Sequence, residues 1–270
     1  MARSALLNVM VAAAEKAGRS LARDFGEIEN LQVSRKGPAD FVSKADMRAE
    51  EIVYRELSKA RPGYGFLMEE SGETPGDDSQ HRWIVDPLDG TTNFLHGVPI
   101  FCVSIALERQ GELVAGVIYN PVMSELFVAE RGGGAFLNDR RIRVAARTDL
   151  ADTLVATGLP FLGHGNQVQT LSELQPLMSR VAGIRRAGSA ALDLAWVAAG
   201  RYDGYWEHSL KPWDIAAGMV LVREAGGFVS DGDGKGEALT TGSIVAGNET
   251  VHRALLKTLR AAKEGRPIAS

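Results

Sequence analysis

Three short segments of the chain carry residues that can do chemistry. They are Leu67-Met68-Glu69-Glu70-Ser71-Gly72, Trp83-Ile84-Val85-Asp86-Pro87-Leu88-Asp89-Gly90-Thr91-Thr92-Asn93-Phe94, and Trp213-Asp214-Ile215-Ala216-Ala217-Gly218. In the first two, carboxylates stand just past the C-terminal end of an apolar strand, where layered folds build their sites. Pro87 removes a backbone N–H and fixes a bend directly after Asp86. That bend sets Asp86 and Asp89 side by side and turns the Leu88 carbonyl the same way. Gly90 permits a close backbone approach to a ligand. Thr91 to Asn93 supply hydroxyls and N–H groups at a helix start, which suits an anion. Carboxylates beside anion-binding N–H groups conflict unless a cation lies between them. A divalent metal resolves the conflict, and Mg²⁺ suits carboxylate, carbonyl, water and phosphate oxygens. Each segment taken alone also has a structural reading: a solvated loop for Glu69-Glu70, a proline turn and helix cap for Asp86–Asp89, and an N-cap for Asp214.

The elements that must position these residues alternate in type. Leu6, Met10, Ala13, Ala17 and Leu21 recur at helical spacing, which predicts an amphipathic first helix rather than a signal peptide. Residues 31–36 read as a short strand before the Gly37-Pro38 turn. Asp46 is expected to cap a helix running to about Lys59, with Ala49, Ile52, Val53 and Leu57 on one face. Residues 65–68 and 82–85 read as buried strands, each running into acidic residues. The polar stretch 71–80 between them reads as a mobile loop. Residues 101–107 and 113–119 flank a hairpin turn at 108–112, and 125–130 and 135–144 continue an antiparallel region. The second half predicts strands at 153–157, 202–206 and 244–247, with helices at 166–180, 189–199, 213–225 and 249–262. In the third of these helices, Ile215, Met219 and Val222 form the inward face and Gly226-Gly227 the stop.

This alternation predicts an α/β molecule in layers, one continuous domain over residues 1–270. Its subdomains are 1–144 (a helix pair plus antiparallel sheet, with the metal site) and 145–270 (α/β, with the substrate pocket). The composition, 45% hydrophobic and 24% charged, is that of a globular chain. The 34 acidic residues exceed the 30 basic ones, leaving a net charge of -4, which argues against general binding to nucleic acid. No apolar stretch reaches the roughly 18 residues of a membrane span. One cysteine, Cys102, excludes an intrachain disulfide and fits a reducing compartment, so a cytoplasmic location is expected. The patterns GxxxxGK[ST], GxSxG, HExxH and CxxC do not occur, and the histidines at 81, 96, 164, 208 and 252 are scattered. Gly232-Asp233-Gly234-Lys235-Gly236 fails the dinucleotide fingerprint and reads as a surface turn.

Taken together, the three segments resemble the inositol monophosphatase family, the Mg²⁺-dependent, lithium-sensitive phosphatases related to fructose-1,6-bisphosphatase. The resemblance rests on Glu69-Glu70-Ser71, on Asp86-Pro87-Leu88-Asp89-Gly90-Thr91-Thr92-Asn93-Phe94 and on Trp213-Asp214-Ile215-Ala216-Ala217-Gly218, in that order and spacing, and runs from the first helix to the last. It implies the α-β-α-β-α sugar-phosphatase fold, a homodimer, and two or three Mg²⁺ per subunit. Glu69, Asp86 and the Leu88 carbonyl would bind the first metal. Asp86, Asp89 and Asp214 would bind the second, and a third would lean on Glu69 and water. Thr91, with Asp46 behind it, would orient the attacking water. Lys36 falls at the family's mobile-loop lysine, expected with 71–80 to close over the site. Gly188, Ser189 and Ala190 fall where the backbone lines the sugar-alcohol pocket, beside Asp89, Gly90, Thr91 and Asp214. Glu207 falls where polyol-phosphate members carry a carboxylate that accepts a substrate hydroxyl; its structural alternative is pairing with a nearby cation. His96, His208, Trp206 and Trp213 read as structural or pocket wall. Arg185-Arg186 reads as a contact to a partner subunit or a solvated face.

The implied physics is consistent. Carboxylates about 4 Å apart repel by about 4 kcal/mol per pair at an effective dielectric near 20, and divalent cations reverse that balance. The implied reaction is hydrolysis of a phosphate monoester, with myo-inositol monophosphate as first substrate. Histidinol phosphate and 3′-phosphoadenosine nucleotides are alternatives under the same chemistry. The haloacid-dehalogenase pattern Asp-x-Asp-Gly-Thr is one residue shorter than Asp86-x-x-Asp89-Gly90-Thr91. A reading of another class is a regulatory protein that works through a protein partner in the transcription machinery.

Overall fold

The computed structural model of the chain describes residues 3–27, 38–160 and 165–265, with the backbone alone at 38–43. Lys36 and the strand expected at 31–36 lie outside the described residues. Helix α1 (Ala5–Gly26) is capped by Ser4, whose hydroxyl accepts the Leu7 N–H at 3.1 Å. It buries Leu7, Met10, Ala14, Ala17 and Leu21. Helix α2 (Pro38–Ala60) packs beside it. Asp46 is therefore not its cap but lies within it. Pro38 opens the helix instead, where a missing N–H costs nothing.

The first sheet holds, among the described residues, eight strands in the order β2-β1-β3-β4-β5-β6-β7-β8. These are β1 (Tyr64–Met68), β2 (Gly72–Thr74), β3 (Asp78–Asp89), β4 (Cys102–Arg109), β5 (Glu112–Asn120), β6 (Glu125–Glu130), β7 (Gly134–Leu137) and β8 (Arg140–Ile142). Strands β1 and β3 run parallel, and the other neighbours pair antiparallel. The stretch 71–80 is not one loop. It contains the edge strand β2 and the start of β3, whose polar side chains suit a solvated edge. The stretch 135–144 is likewise two strands, because Asn138 and Asp139 both take positive φ (47° and 64°), the turn that matches strand twist. Gln110 and Gly111 turn the β4–β5 hairpin in the same way.

The second sheet, with order β10-β9-β11-β13-β12, is built from β9 (Leu154–Thr157), β10 (Gly183–Arg185), β11 (Gly204–Glu207), β12 (Phe228–Ser230) and β13 (Ile244–Gly247). The three-residue strands β10 and β12 escaped the sequence reading, being too short to alternate. A five-residue helix α3 (Thr91–Leu95) follows β3. The remaining helices are α4 (Gln167–Met178), α5 (Ala190–Ala198), α6 (Pro212–Glu224), α7 (Ala238–Thr241) and α8 (Glu249–Lys263).

Side-chain alternation assigns the layers. On β3, Trp83 and Val85 enter the core shared with α1 and α2, while Ile84 enters the core shared with α5 and α6. That middle core also takes Ala156, Tyr205, Ile244 and Ala246 from the second sheet. Val155, Trp206 and Val245 point the other way, toward α4 and α8. The result is the expected α-β-α-β-α sandwich, with strand periodicity of two feeding a separate core on each face.

Candidate active site

The site forms where β1 and β3, being parallel, end at the same edge of the first sheet. Glu69 follows β1, its N–H donating to the Val85 carbonyl at 3.3 Å. Asp86 and Asp89 close β3. Three residues apart, they would face opposite sides of a regular strand. The ladder to β4 instead breaks between them: Asp86 pairs with Ser104 and Asp89 with Cys102. One extra residue is thereby bulged out, and both carboxylates reach the same face. Asp86 Oδ1 accepts the Leu88 N–H at 2.9 Å, which tightens the bend at Pro87.

Gly90 takes φ 97°, and a Cβ there would lie 2.7 Å from the Ile100 carbonyl oxygen. The close approach that requires glycine here is thus to the chain's own backbone, and Gly90 also lines the cleft. Thr91 begins α3, and its hydroxyl donates to the Leu88 carbonyl at 3.1 Å. Among the described residues this hydroxyl makes no direct hydrogen bond to Asp46. A threonine at a helix start reaches the carbonyl three residues back with ease. Asp46, 3% exposed, keeps its buried Oδ1 without a hydrogen-bond partner. Carboxylate oxygens of Asp46, Glu69 and Glu70 lie within 4.8 Å of one another. Behind them Glu50 accepts the Glu70 N–H at 2.9 Å.

Asp214 stands in the first turn of α6, with Oδ2 accepting the Lys211 N–H at 2.7 Å. Lys211, not Asp214, is the N-cap; Pro212 starts the helix. Asp89 Oδ2 accepts the Ser189 hydroxyl at 2.6 Å and the Ala191 N–H at 2.7 Å, both at the start of α5. Cys102 Sγ lies 3.9 Å from the same oxygen.

Burial raises every carboxyl of the group. Asp46 goes to about 9, with Glu69, Glu70 and Glu50 adding to the effect of burial. Burial takes Glu69 to about 7, against a hydrogen bond with Asp86. Burial, with Asp89 next, takes Asp214 to about 8. Asp86 is pushed well above the carboxylate range by burial and by Glu69, Asp89 and Asp214. Asp89 rises only to about 6, because Ser189 and the start of α5 stabilise its anion against burial. Carboxylates held this close are relieved either by taking up protons or by a bound cation. The donors are all oxygen, and one of them, Asp46 Oδ1, has no partner. That set fits a hard divalent metal such as Mg²⁺.

A cleft of about 580 Å³ opens over these groups. It is lined by Glu69, Asp86, Leu88, Asp89, Gly90, Thr91, Gly188, Ser189, Ala190, Glu207 and Asp214, so the expected site residues other than Asp46 and Lys36 line one cleft. Glu207 ends β11 at the far side. It accepts a hydrogen bond from Tyr205, and burial raises it to about 7 despite that bond. Among the described residues it forms no ion pair within 4 Å, although the charges of Arg186 and His208 favour its anion.

Several contributors carried little signal in the sequence. A Cβ on Gly158 would lie 1.9 Å from Glu207 Oε1, so this glycine makes the space for that carboxylate. Asn93 Nδ2 donates to the Ile100 and Ala187 carbonyls at 2.7 and 2.9 Å, tying the segment after β3 to the turn before α5. Arg186 and Lys211 bring positive charge into the cleft. Asn93 sits inside the quoted motif; nothing in the sequence marks Gly158.

Comparison with known proteins gives one consistent neighbourhood. Residues 2–264 match the model of the inositol monophosphatase family. The inositol-1-monophosphatase of Mesorhizobium japonicum is 69% identical over 260 residues, 96% of this chain and 98% of that one. The Nus factor SuhB of Escherichia coli is 46% identical over 255 residues, 94% of this chain and 96% of that one. The crystal structure of the extragenic suppressor protein suhB from Bartonella henselae superposes with a TM-score of 0.89 at 63% identity, covering 95% of this chain and 99% of that one.

Proposed function

We propose, from the premise that the chain belongs to the inositol monophosphatase family, that it is a Mg²⁺-dependent phosphatase acting on myo-inositol monophosphate. One observation carries the reading. A single cleft joins an all-oxygen cluster (Asp86, buried, with Glu69, Asp89 and Asp214, partly buried) to a partly buried hydroxyl acceptor, Glu207.

Glu69, Asp86, Asp89, Asp214 and the Leu88 carbonyl would hold two or three Mg²⁺. When bound, the metal neutralises phosphate charge and lowers the pKa of water. The chain's own groups do the rest. The first-turn N–H groups of α3, free of intrahelical partners, face the ester phosphate. Thr91 Oγ1 accepts a hydrogen from the attacking water and orients it, with Asp46 behind the cleft wall. Asp214 lies on the leaving-group side. The Gly188–Ala190 backbone lines the polyol, and Glu207 accepts one of its hydroxyls. No side chain serves as covalent nucleophile in this scheme.

A homodimer in the cytoplasm and lithium sensitivity belong to the same proposal. Among the described residues no helix is long and apolar enough to cross a membrane. Histidinol phosphate remains the nearest alternative, since Glu207 also suits a small cationic alcohol.

The test is phosphate release from myo-inositol 1-phosphate, histidinol phosphate, 3′-phosphoadenosine 5′-phosphate and fructose 1,6-bisphosphate, with and without Mg²⁺. Release led by the inositol ester supports the reading. Release led by another ester keeps the mechanism and moves the substrate. The relative named Nus factor SuhB, 46% identical, favours a second reading, a role through a protein partner. The net charge of -4 argues against direct nucleic-acid binding in that role. An Asp89→Asn variant that loses activity yet rescues a deletion phenotype would favour the partner role.

A further inference from the structure

We infer that Glu173 is a positioning residue that fixes Glu207, and through it the enzyme's preference for hydroxyl-bearing esters. The inference rests on the proposed reading of Glu207 as hydroxyl acceptor. Glu207 ends β11, where successive side chains point to opposite faces. Tyr205 and Glu207 share the face toward α5, and the Tyr205 hydroxyl donates to the Glu207 carboxylate. Trp206 and His208, the residues on either side of Glu207, point the other way, and both end on one carboxylate. Trp206 Nε1 donates to Glu173 Oε2 at 3.2 Å. His208 Nε2 lies 3.0 Å from both Glu173 oxygens, and facing a carboxylate this nitrogen carries the hydrogen.

Glu173 comes from α4, distant in sequence from β11. It is 2% exposed, a burial that acidic side chains rarely accept without partners. Its third donor is Gln169 Nε2, at 3.0 Å and one helical turn back. One buried carboxylate thus grips the chain immediately before and immediately after Glu207. That grip fixes the rotation of the strand end and so the aim of Glu207. Ser209, directly after it, takes φ 64°, so the chain turns away sharply once past the grip. Without Glu173 the strand end keeps its ladder to β13 up to Glu207, paired with Ile244, but loses the anchor beyond it.

The experiment compares KM for myo-inositol 1-phosphate with KM for p-nitrophenyl phosphate, whose leaving group has no second hydroxyl for Glu207 to accept. Wild type, Glu173→Gln, Glu207→Gln and the double variant are assayed in Mg²⁺. A glutamine at 173 retains the shape but offers one acceptor oxygen where three donors converge. The ratio of the two KM values is expected to rise about tenfold in Glu173→Gln, the worth of one hydrogen bond of ordinary strength. Glu207→Gln is expected to raise the same ratio, and the double variant no further, since both act on one contact. A Glu173→Gln that raises both KM values equally, or whose effect multiplies with that of Glu207→Gln, overturns the inference. Should Glu173→Gln fail to fold, Trp206→Phe removes one donor and keeps a ring in the core; an unmoved KM ratio there overturns it as well. Absence of Mg²⁺-dependent release from both esters by the wild type overturns the phosphatase reading, and this inference with it.

Discussion

Ser189 donates its hydroxyl to Asp89 Oδ2 at 2.6 Å, joining residues 100 positions apart in the chain. The contact binds the end of the first sheet to the first turn of α5. It also explains why Asp89 is raised less than Asp86. An anion at the start of a nine-residue helix is stabilised by the N–H groups and the dipole there.

Asp89→Asn keeps an oxygen for the Ser189 and Ala191 donors and removes the charge facing Asp86 and Asp214. The variant is expected to fold and to lose at least about a hundredfold in activity, on the scale of lost metal-site partners. The Mg²⁺-induced rise in Tm should shrink with it. A folded variant with full activity would remove Asp89 from the metal site.

The raised carboxyls make the metal-free protein sensitive to alkali. Asp46 moves from 3.8 to about 9, and Asp214 from 3.8 to about 8. The folded state therefore holds protons that the unfolded chain has released. Stability falls as pH rises through that window, from about 4 to about 9, and levels off above it. Bound Mg²⁺ neutralises the same charges. The gain in Tm from Mg²⁺ over chelator is expected to be small near pH 5 and largest near pH 9. A gain that is largest in acid contradicts the assignment of these groups.

Gly158→Ala would place a methyl 1.9 Å from Glu207 Oε1. Gly158 is at ordinary negative φ, so backbone strain adds nothing, and Glu207 must swing aside. KM for the inositol ester is expected to rise about tenfold or more, as for a lost substrate hydrogen bond, with Tm little changed. Steady-state kinetics beside a melting curve check this; a fall in Tm with unchanged KM would mean that the backbone gave way instead.

Asn93→Ala leaves the Ile100 and Ala187 carbonyls without their shared donor. The cost is expected to be about 1–3 kcal/mol in a denaturant titration, that of unsatisfied buried polar groups. Because the Ala187 turn leads into Gly188 and Ser189, KM should rise as well. A stable variant with raised KM would assign Asn93 to the pocket alone.

Much of this arrangement was legible in the sequence, and for physical reasons. Apolar runs ending in Glu69 and Asp86 announced two strands with carboxylates at one edge, and the period of two on β3 and β11 feeds the separate cores. Motif resemblance supplied which carboxylates belong together. The errors fall where a tertiary contact decides. Asp46 looked like a cap because its type suits one, yet Pro38 starts the helix and Asp46 is carried inward. Gly90 was read only for a ligand, yet its positive φ and the nearby Ile100 carbonyl give it a backbone reason as well. The bulge between Asp86 and Asp89 could not be read locally, since it is defined only against Ser104 and Cys102. Glu173 and Gly158 were invisible for the same reason: each matters through a residue far along the chain.

The span from Asp89 to Ser189 also orders events in time. A chain emerging from the ribosome completes the first sheet while α5 is still unmade, and domains fold broadly from the N-terminus. Until the second half arrives, Asp89 has neither the Ser189 hydroxyl nor the Ala191 N–H. Closing so long a loop is slow compared with forming the hairpins on either side. The cleft is thus complete only when residues 100 positions apart have met.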